Sequence, residues 1–325
     1  MASAPMSDAT AAAAPALDVV CLGEAMVVFN QAPGEPTRYT AGFGGDTSNC
    51  AIAAARIGAR SGYITQVGDD VFGTQLRALW HDEGVDTDGV RIVPGAETGL
   101  YFVTHGEHGH DFTYRRAGSA ASRMAPDDAA FAPCLHQAGR ARMLHVSGIS
   151  QAISASACAT VFAAIERARS QRVRVSYDLN HRPRLWRADA ALPVVQRTVA
   201  LADIFLPSVD EVALLAGTRT PEEVLRWAHG LGAPIVVLKL GADGCWVSQR
   251  GGVTKLPPYR VTPVDATGAG DCFAGTPLAR LAAGDDLIAA ARAANVAAAL
   301  STLGVGAVAP LPRWDQVRAV LADAH

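Results

Sequence analysis

The chain has 325 residues, half of them hydrophobic and 18% charged, with a formal net charge of −3 at pH 7. That length holds one large α/β domain or two small ones and buries a sizeable core. The charge argues against nucleic acid or an acidic membrane surface as the main partner. No apolar run has the length to cross a bilayer, and six cysteines without C-x-x-C spacing read as buried thiols of a reducing, cytoplasmic compartment.

Residues 1–16 are rich in Ala and Pro and have no basic region before an apolar core, so a disordered tail is expected there, not a signal peptide. The apolar run 16–26 suits a buried first strand. Residues 27–40, broken by Pro33-Gly34 and Pro36, read as a hairpin. A glycine-rich loop follows, Gly42-Phe43-Gly44-Gly45-Asp46-Thr47-Ser48-Asn49, leading into an alanine-rich helix. A tight turn capped by Asp46 or Thr47 explains that loop as well as a ligand does. Residues 63–67 form a strand, Gly68-Asp69-Asp70-x-Phe72-Gly73 a structural turn, and the helix after it runs through Trp80. Residues 99–104 and 111–116 alternate around 106–110 as a second hairpin. Two hairpins separated by a helical unit predict a small sheet, formed by segments about 27–41 and 97–117, that could close over a ligand. His105, His108 and His110 cluster at the tip, but H-x-x-H-x-H matches no standard zinc set and has no cysteine nearby. They are expected to be turn histidines.

From Arg142 onward strand and helix alternate, with strands at 144–149, 174–179, 204–207 and 235–239 and helices at 155–170, 193–201 and 221–229. That pattern predicts a mostly parallel sheet with helices on both faces. Ligand groups gather at the carboxyl ends of such strands. The residues there are Asn180 through Trp186, then Ser208-Val209-Asp210-Glu211, then Lys239 followed by Gly241-x-x-Gly244. A glycine turn after a strand is also the default, so the last string says little by itself. An alanine-rich helix at 290–302 holds Asn295, and 310–324 would be the closing helix.

Between them lies the most informative stretch, 262–276, T-P-V-D-A-T-G-A-G-D-C-F-A-G-T. Gly268 and Gly270 lack a Cβ, so successive N–H groups can converge on one point. A helix start adds unpaired donors and the positive end of its dipole, which together favour a phosphoryl group. Asp271 at the same turn could take a proton from a hydroxyl brought against that phosphate. A dinucleotide fingerprint would need glycine at 273, where the chain has Phe273, and a helix cap formed by Asp271 is the plain alternative. A P-loop is absent because neither lysine, Lys239 or Lys255, follows a glycine. Protein-kinase strings are absent too.

The longer string D-x-T-G-A-G-D-x-F-x-G, here Asp265, Thr267, Gly268, Ala269, Gly270, Asp271, Phe273 and Gly275, resembles the C-terminal signature of the PfkB-type, or ribokinase-like, sugar kinases. The resemblance extends from about residue 17 over nearly the whole chain. It implies a ribokinase-like α/β fold with a small β-sheet lid, ATP as phosphoryl donor, Mg2+, and Asp271 as base with the 268–270 amides steadying the transferring group. Gly44, Gly45, Asp46 and Asn49 match the G-G-x-x-x-N that lines the family's substrate. Ser208 and Glu211 stand where members carry N-x-x-E, a departure at the first position, and the glutamate there organises magnesium through water. Lys239, Gly241, Gly244 and Asn295 fall on the nucleotide side. The stretch 112–120 with Tyr114 and Arg116, together with Tyr101 and Arg182, is similar to 2-keto-3-deoxygluconate kinases. A guanidinium can hold the carboxylate that ribose and fructose lack. Because two of the 28 basic residues are lysine, arginine by itself is weak evidence, and the tyrosine–arginine spacing carries more. The expected activity is phosphorylation of 2-keto-3-deoxygluconate at its 6-hydroxyl by a homo-oligomer, a dimer or larger. A fructokinase or other neutral-sugar kinase, or a non-catalytic sugar sensor on the same fold, are the rivals.

Overall fold

In β1 (Leu17–Leu22), Val20 and Leu22 point into one hydrophobic cluster while Val19 and Cys21 point into another. That alternation belongs to a strand covered on both faces. The computed structural model describes residues 17–323 except 33, 107, 108, 250 and 251. The tail expected over 1–16 lies outside the described residues.

After β1 come β2 (Met26–Ala32), β3 (Glu35–Gly44), α1 (Asp46–Arg56), β4 (Ser61–Gly68), α2 (Val71–Asp82), β5 (Asp86–Val93), β6 (Leu100–Gly106) and β7 (Gly109–Arg115). The second half runs β8 (Ala141–Ser147), α3 (Gly148–Ala152), α4 (Ala155–Ser170), β9 (Arg174–Asp178), α5 (Ala188–Leu201), β10 (Ile204–Leu206), α6 (Val209–Ala216), α7 (Pro221–Gly230), β11 (Ile235–Lys239), β12 (Cys245–Gln249), β13 (Gly252–Leu256), α8 (Ala269–Ala283), α9 (Leu287–Ser301) and α10 (Trp314–Asp323). Among the described residues nine strands form one sheet, in the order β13-β12-β11-β10-β9-β8-β1-β4-β5, and four form a second, β3-β2-β6-β7. The large sheet is parallel except where β11, β12 and β13 run antiparallel at one edge. One hydrophobic cluster packs α4, α5, α6 and α7 against one face, and the other packs α1, α2, α8 and α9 against the opposite face.

This is the ribokinase-like α/β architecture with a smaller separate sheet. The chain proceeds from β1 toward β4 and β5 on one side, and from β8 toward β11 on the other. Functional groups concentrate at the carboxyl edge of such a switch point.

Several elements were not visible in the sequence. β5 reads D-T-D-G-V-R-I-V at a sheet edge, where its partly exposed acids hide the strand pattern. β12 and β13 are short, and half of their residues face solvent. The expected strand over 144–149 instead ends at Ser147, whose hydroxyl caps α3 by accepting from the Ser150 amide. Helix α8 begins at Ala269, three residues before the apolar run, so Asp271 sits inside its first turn.

Candidate active site

Two helices start at the same edge and run side by side. A Cβ on Gly275 of α8 would come within 3.0 Å of the Ala53 Cβ and 3.1 Å of the Ala54 nitrogen of α1. This close approach brings the first turns together, and Asn49 Nδ2 donates to Asp271 Oδ2 at 2.8 Å. Asp271 is thereby partly buried and held by one oxygen. Burial pushes its carboxyl up to about 8, helped by the negative charge of Asp46 and then Asp178, while the Asn49 hydrogen bond and Lys239 oppose the shift. A carboxyl so placed takes a proton near neutral pH.

Helix α8 has no side-chain cap, because its N-cap is Gly268, at φ +76°. A Cβ there would stand 2.9 Å from the Ala307 Cβ and also meet strain from the positive φ, so only glycine fits. The Ala269 amide turns back to the Ala266 carbonyl at 3.2 Å. The first-turn amides beyond it are the donors that an uncapped helix start leaves to a ligand. Ala269 therefore contributes to the turn and less directly to the anion hole expected over 268–270. Asp265 ties this loop down, accepting from the Thr267 amide at 2.9 Å and from the Gly306 amide at 2.8 Å.

Asp46 and Asn49 each leave one buried oxygen, Oδ1, without a partner. The other Asp46 oxygen accepts from Asn180 Nδ2 at 3.0 Å. Asn180 follows β9 with φ +36°, a left-handed conformation that asparagine tolerates better than most residues. Sequence reasoning named it among the residues that follow a strand but gave it no role of its own. Unpartnered buried acceptors are costly, and ligand hydroxyls would satisfy them.

Lys239 ends β11 with both Asp178 carboxylate oxygens at 2.7 Å from its Nζ. Burial works against its charge, but Asp178 and then Glu211 outweigh it and raise the pKa. The ammonium lies beside the start of α8, 4.0 Å from where a Gly270 Cβ would stand.

The expected metal residue Glu211 has a local role. Ser208 Oγ accepts from the Glu211 amide at 3.4 Å and Glu211 Oε2 accepts from the Ser208 amide at 3.0 Å, forming a capping box on α6. The S-x-x-E spacing was a legible signal for this. Its other oxygen lies 3.6 Å from Arg182, a half-exposed side chain. Among the described residues, no group of three or more His, Cys, Asp or Glu stands together as metal ligands.

Gly241 and Gly244 both have positive φ and close the turn between β11 and β12. A Cβ on Gly244 would come within 2.8 Å of Pro257, so that glycine serves the turn itself, while space around Gly241 is open. Asn295 Nδ2 donates to the Pro257 carbonyl at 3.0 Å, which fastens α9 to the segment after β13.

The small sheet stands over this edge. Tyr101 on β6 stacks on Tyr114 of β7 with ring centroids 5.6 Å apart, and the Arg116 guanidinium lies 5.9 Å from the Tyr114 ring centre. The Tyr101 hydroxyl occupies the place a Gly44 side chain would take. Burial pushes that phenol up, with Tyr114 and Asp271 adding to the shift. Gly45 precedes α1 at φ +116°, its missing side chain admitting the Ala25 Cα, which a Cβ would meet at 2.7 Å. Arg116 is mostly buried because it pairs with Glu24, a residue the sequence had placed only in a strand. His105 at the hairpin end meets the Gln31 carbonyl through Nε2 at 2.9 Å. The His108 and His110 side chains lie outside the described residues.

A family model described as pfkB family carbohydrate kinase matches residues 16–314. The 2-dehydro-3-deoxygluconokinase of Thermoproteus tenax is 36% identical over 302 residues, covering 89% of both chains. A fructokinase of Klebsiella pneumoniae is 33% identical over 287 residues, covering 85% of this chain and 90% of that one. A candidate ribokinase II from E. coli, solved in complex with ATP and Mg2+, superposes with a TM-score of 0.84 at 26% identity, covering 94% of this chain and 99% of that one. The chain belongs to the pfkB family of carbohydrate kinases, which are phosphotransferases with an alcohol group as acceptor.

Proposed function

We propose that this kinase transfers the γ-phosphoryl group of ATP to the 6-hydroxyl of 2-keto-3-deoxygluconate, with Asp271 as general base. The observation that carries the reading is the partly buried Asp271 carboxylate, fixed through one oxygen by Asn49 beside an uncapped helix start. The other oxygen is left for the acceptor hydroxyl. As that hydroxyl attacks phosphorus, its proton passes to Asp271, a bond forms between the sugar oxygen and the phosphorus, and the bond from phosphorus to the ADP oxygen breaks. Amides at the start of α8, with Lys239 beside them, offset the charge growing on the phosphoryl oxygens. Asp46 Oδ1 and Asn49 Oδ1 accept from the sugar hydroxyls.

Arg182, half exposed at the rim, and Arg116 beside Tyr114 support an acidic sugar over a neutral one. So does the resemblance to the T. tenax enzyme. Mg2+ fits as an ion carried in on phosphate oxygens and water, since no dedicated cage of ligands is present among the described residues and Glu211 would reach it through water. It would neutralise charge on the transferring phosphate. The small sheet acts as a lid that excludes water as a competing acceptor. Its outer strand β3, exposed over residues 35–41, offers an edge for pairing with a second copy in a homo-oligomer. No helix among the described residues is long and apolar enough to cross a membrane, and a cytoplasmic setting fits the free cysteines.

ATP consumption with magnesium, compared across 2-keto-3-deoxygluconate, fructose and ribose and repeated with Asp271→Asn, tests the reading. Preference for the keto-acid, abolished in the variant, is expected. The fructokinase likeness favours the second reading. It wins if fructose is preferred and Arg182→Ala leaves that turnover unchanged.

A further inference from the structure

Four chain crossings join the large sheet to the small one: residues 23–25 between β1 and β2, Gly45 between β3 and α1, the segment ending at Gly99 before β6, and the segment from Arg116 after β7. All four meet at Glu24. Its side chain has no solvent exposure, and Arg116 Nε donates to its Oε2 at 2.7 Å while Ser119 Oγ donates to its Oε1 at 2.5 Å. A Cβ on Gly99 would stand 2.7 Å from the same Oε1, and a Cβ on Gly45 would collide with the Glu24 backbone carbonyl. The Val27 amide, one turn of chain later, donates to the Gly99 carbonyl at 3.2 Å. Three crossings are thus shaped around one buried carboxylate.

We infer that Glu24 is a positioning residue, which sets the Arg116 guanidinium and the seating of the small sheet so that the acidic end of the substrate meets a preset donor. A buried carboxylate persists only when its oxygens are filled, and here they are filled by the residues that leave the small sheet. The guanidinium spends its Nε edge on Glu24 and lies near the Tyr114 ring, so its direction is fixed before a ligand arrives. Nη2 is buried against the same carboxylate oxygen, which leaves the Nη1 end of the fork for a second anion. Because Glu24 already offsets the charge of Arg116, the pair supplies orientation more than net charge. The inference rests on the sugar-acid reading for the ligand, but not for the convergence of the crossings.

The opposite role makes an opposite prediction. If Glu24 were only a counter-charge, its removal would free Arg116 to attract the acid and lower KM. For Glu24→Gln, which keeps the shape and removes the charge, KM for 2-keto-3-deoxygluconate should rise about tenfold or more, as for the loss of an ion-paired contact. KM for ATP should stay within about twofold, a split that general destabilisation does not give. Amide hydrogen exchange should speed up in β6 and β7 and remain unchanged in β8, β9 and β10. Ser119→Ala should move the same way by less. An unchanged or lowered sugar KM, or an equal loss for both substrates, overturns the inference. Should Glu24→Gln fail to fold, Gly99→Ala, which displaces the carboxylate without altering charge, carries the same expectations and the same refutation. If the wild-type protein prefers a neutral sugar, the sugar-acid reading fails by itself. The exchange comparison then decides on Glu24, and unaltered exchange in β6 and β7 refutes its role.

Discussion

Asp271 of α8 lies close enough to two further carboxylates, Asp46 and Asp178, to feel their charge. With burial and two neighbouring carboxylates raising its carboxyl to about 8, the ligand-free protein holds it largely protonated at neutral pH. kcat/KM should therefore climb with pH through that region, as a pH–rate profile would show. Asn49→Ala, which deletes the one hydrogen bond holding the charged form, should move the inflection higher and lower turnover. The same shift has a cost in stability. From the ordinary carboxyl value of 3.8 up to about 8, the native state keeps a proton that the unfolded chain has released, so stability falls as pH rises across that window. Asp271→Asn should be inactive yet melt at a higher temperature than wild type at pH 8, with the difference vanishing near pH 4. Residues such as Asp271 were legible because the string around them is long and specific. Glu24 and Asn180 were not, since a buried carboxylate and a left-handed asparagine gain their meaning only from partners 92 and 134 positions away in sequence.

At the scale of elements, the site depends on how closely α1 and α8 approach. Gly275 allows the contact, and Thr276 closes its own hydroxyl onto the Cys272 carbonyl at 2.8 Å. Gly275→Leu should force them apart at a cost of about 1–3 kcal/mol, typical of overpacking, and should draw Asn49 from Asp271. A lowered denaturation midpoint together with an alkaline inflection moved higher in the pH profile would show both effects. The alternation of strand and helix from β8 onward could be read directly from periodicity, because those strands are covered on both faces. The edge strands β5, β12 and β13 could not, since half-exposed edges carry a mixed pattern. α6 was also missed, being only eight residues long, although its capping box was written in the sequence.

For the whole molecule, charge at the site shapes what must accompany the substrates. Asp46, Asp178, Asp271 and Glu211 face Lys239 and Arg182, and both proposed substrates are anions. A divalent cation riding on the phosphates relieves that imbalance. Since no described cluster of ligands is knit into the fold, chelation with EDTA should abolish turnover while leaving the melting temperature unchanged. A fall in melting temperature would instead point to an ion built into the structure.

The hydrogen bond between Asn49 and Asp271 spans 222 positions. While the chain is still being synthesised, α1 can form against β1 and β4, but its exposed flank waits for α8, which emerges only after the entire parallel sheet has been made. A partly synthesised chain can thus hold Asn49 and Asp46 in place while the proposed base is still missing, so the proposed site is completed only near the end of synthesis.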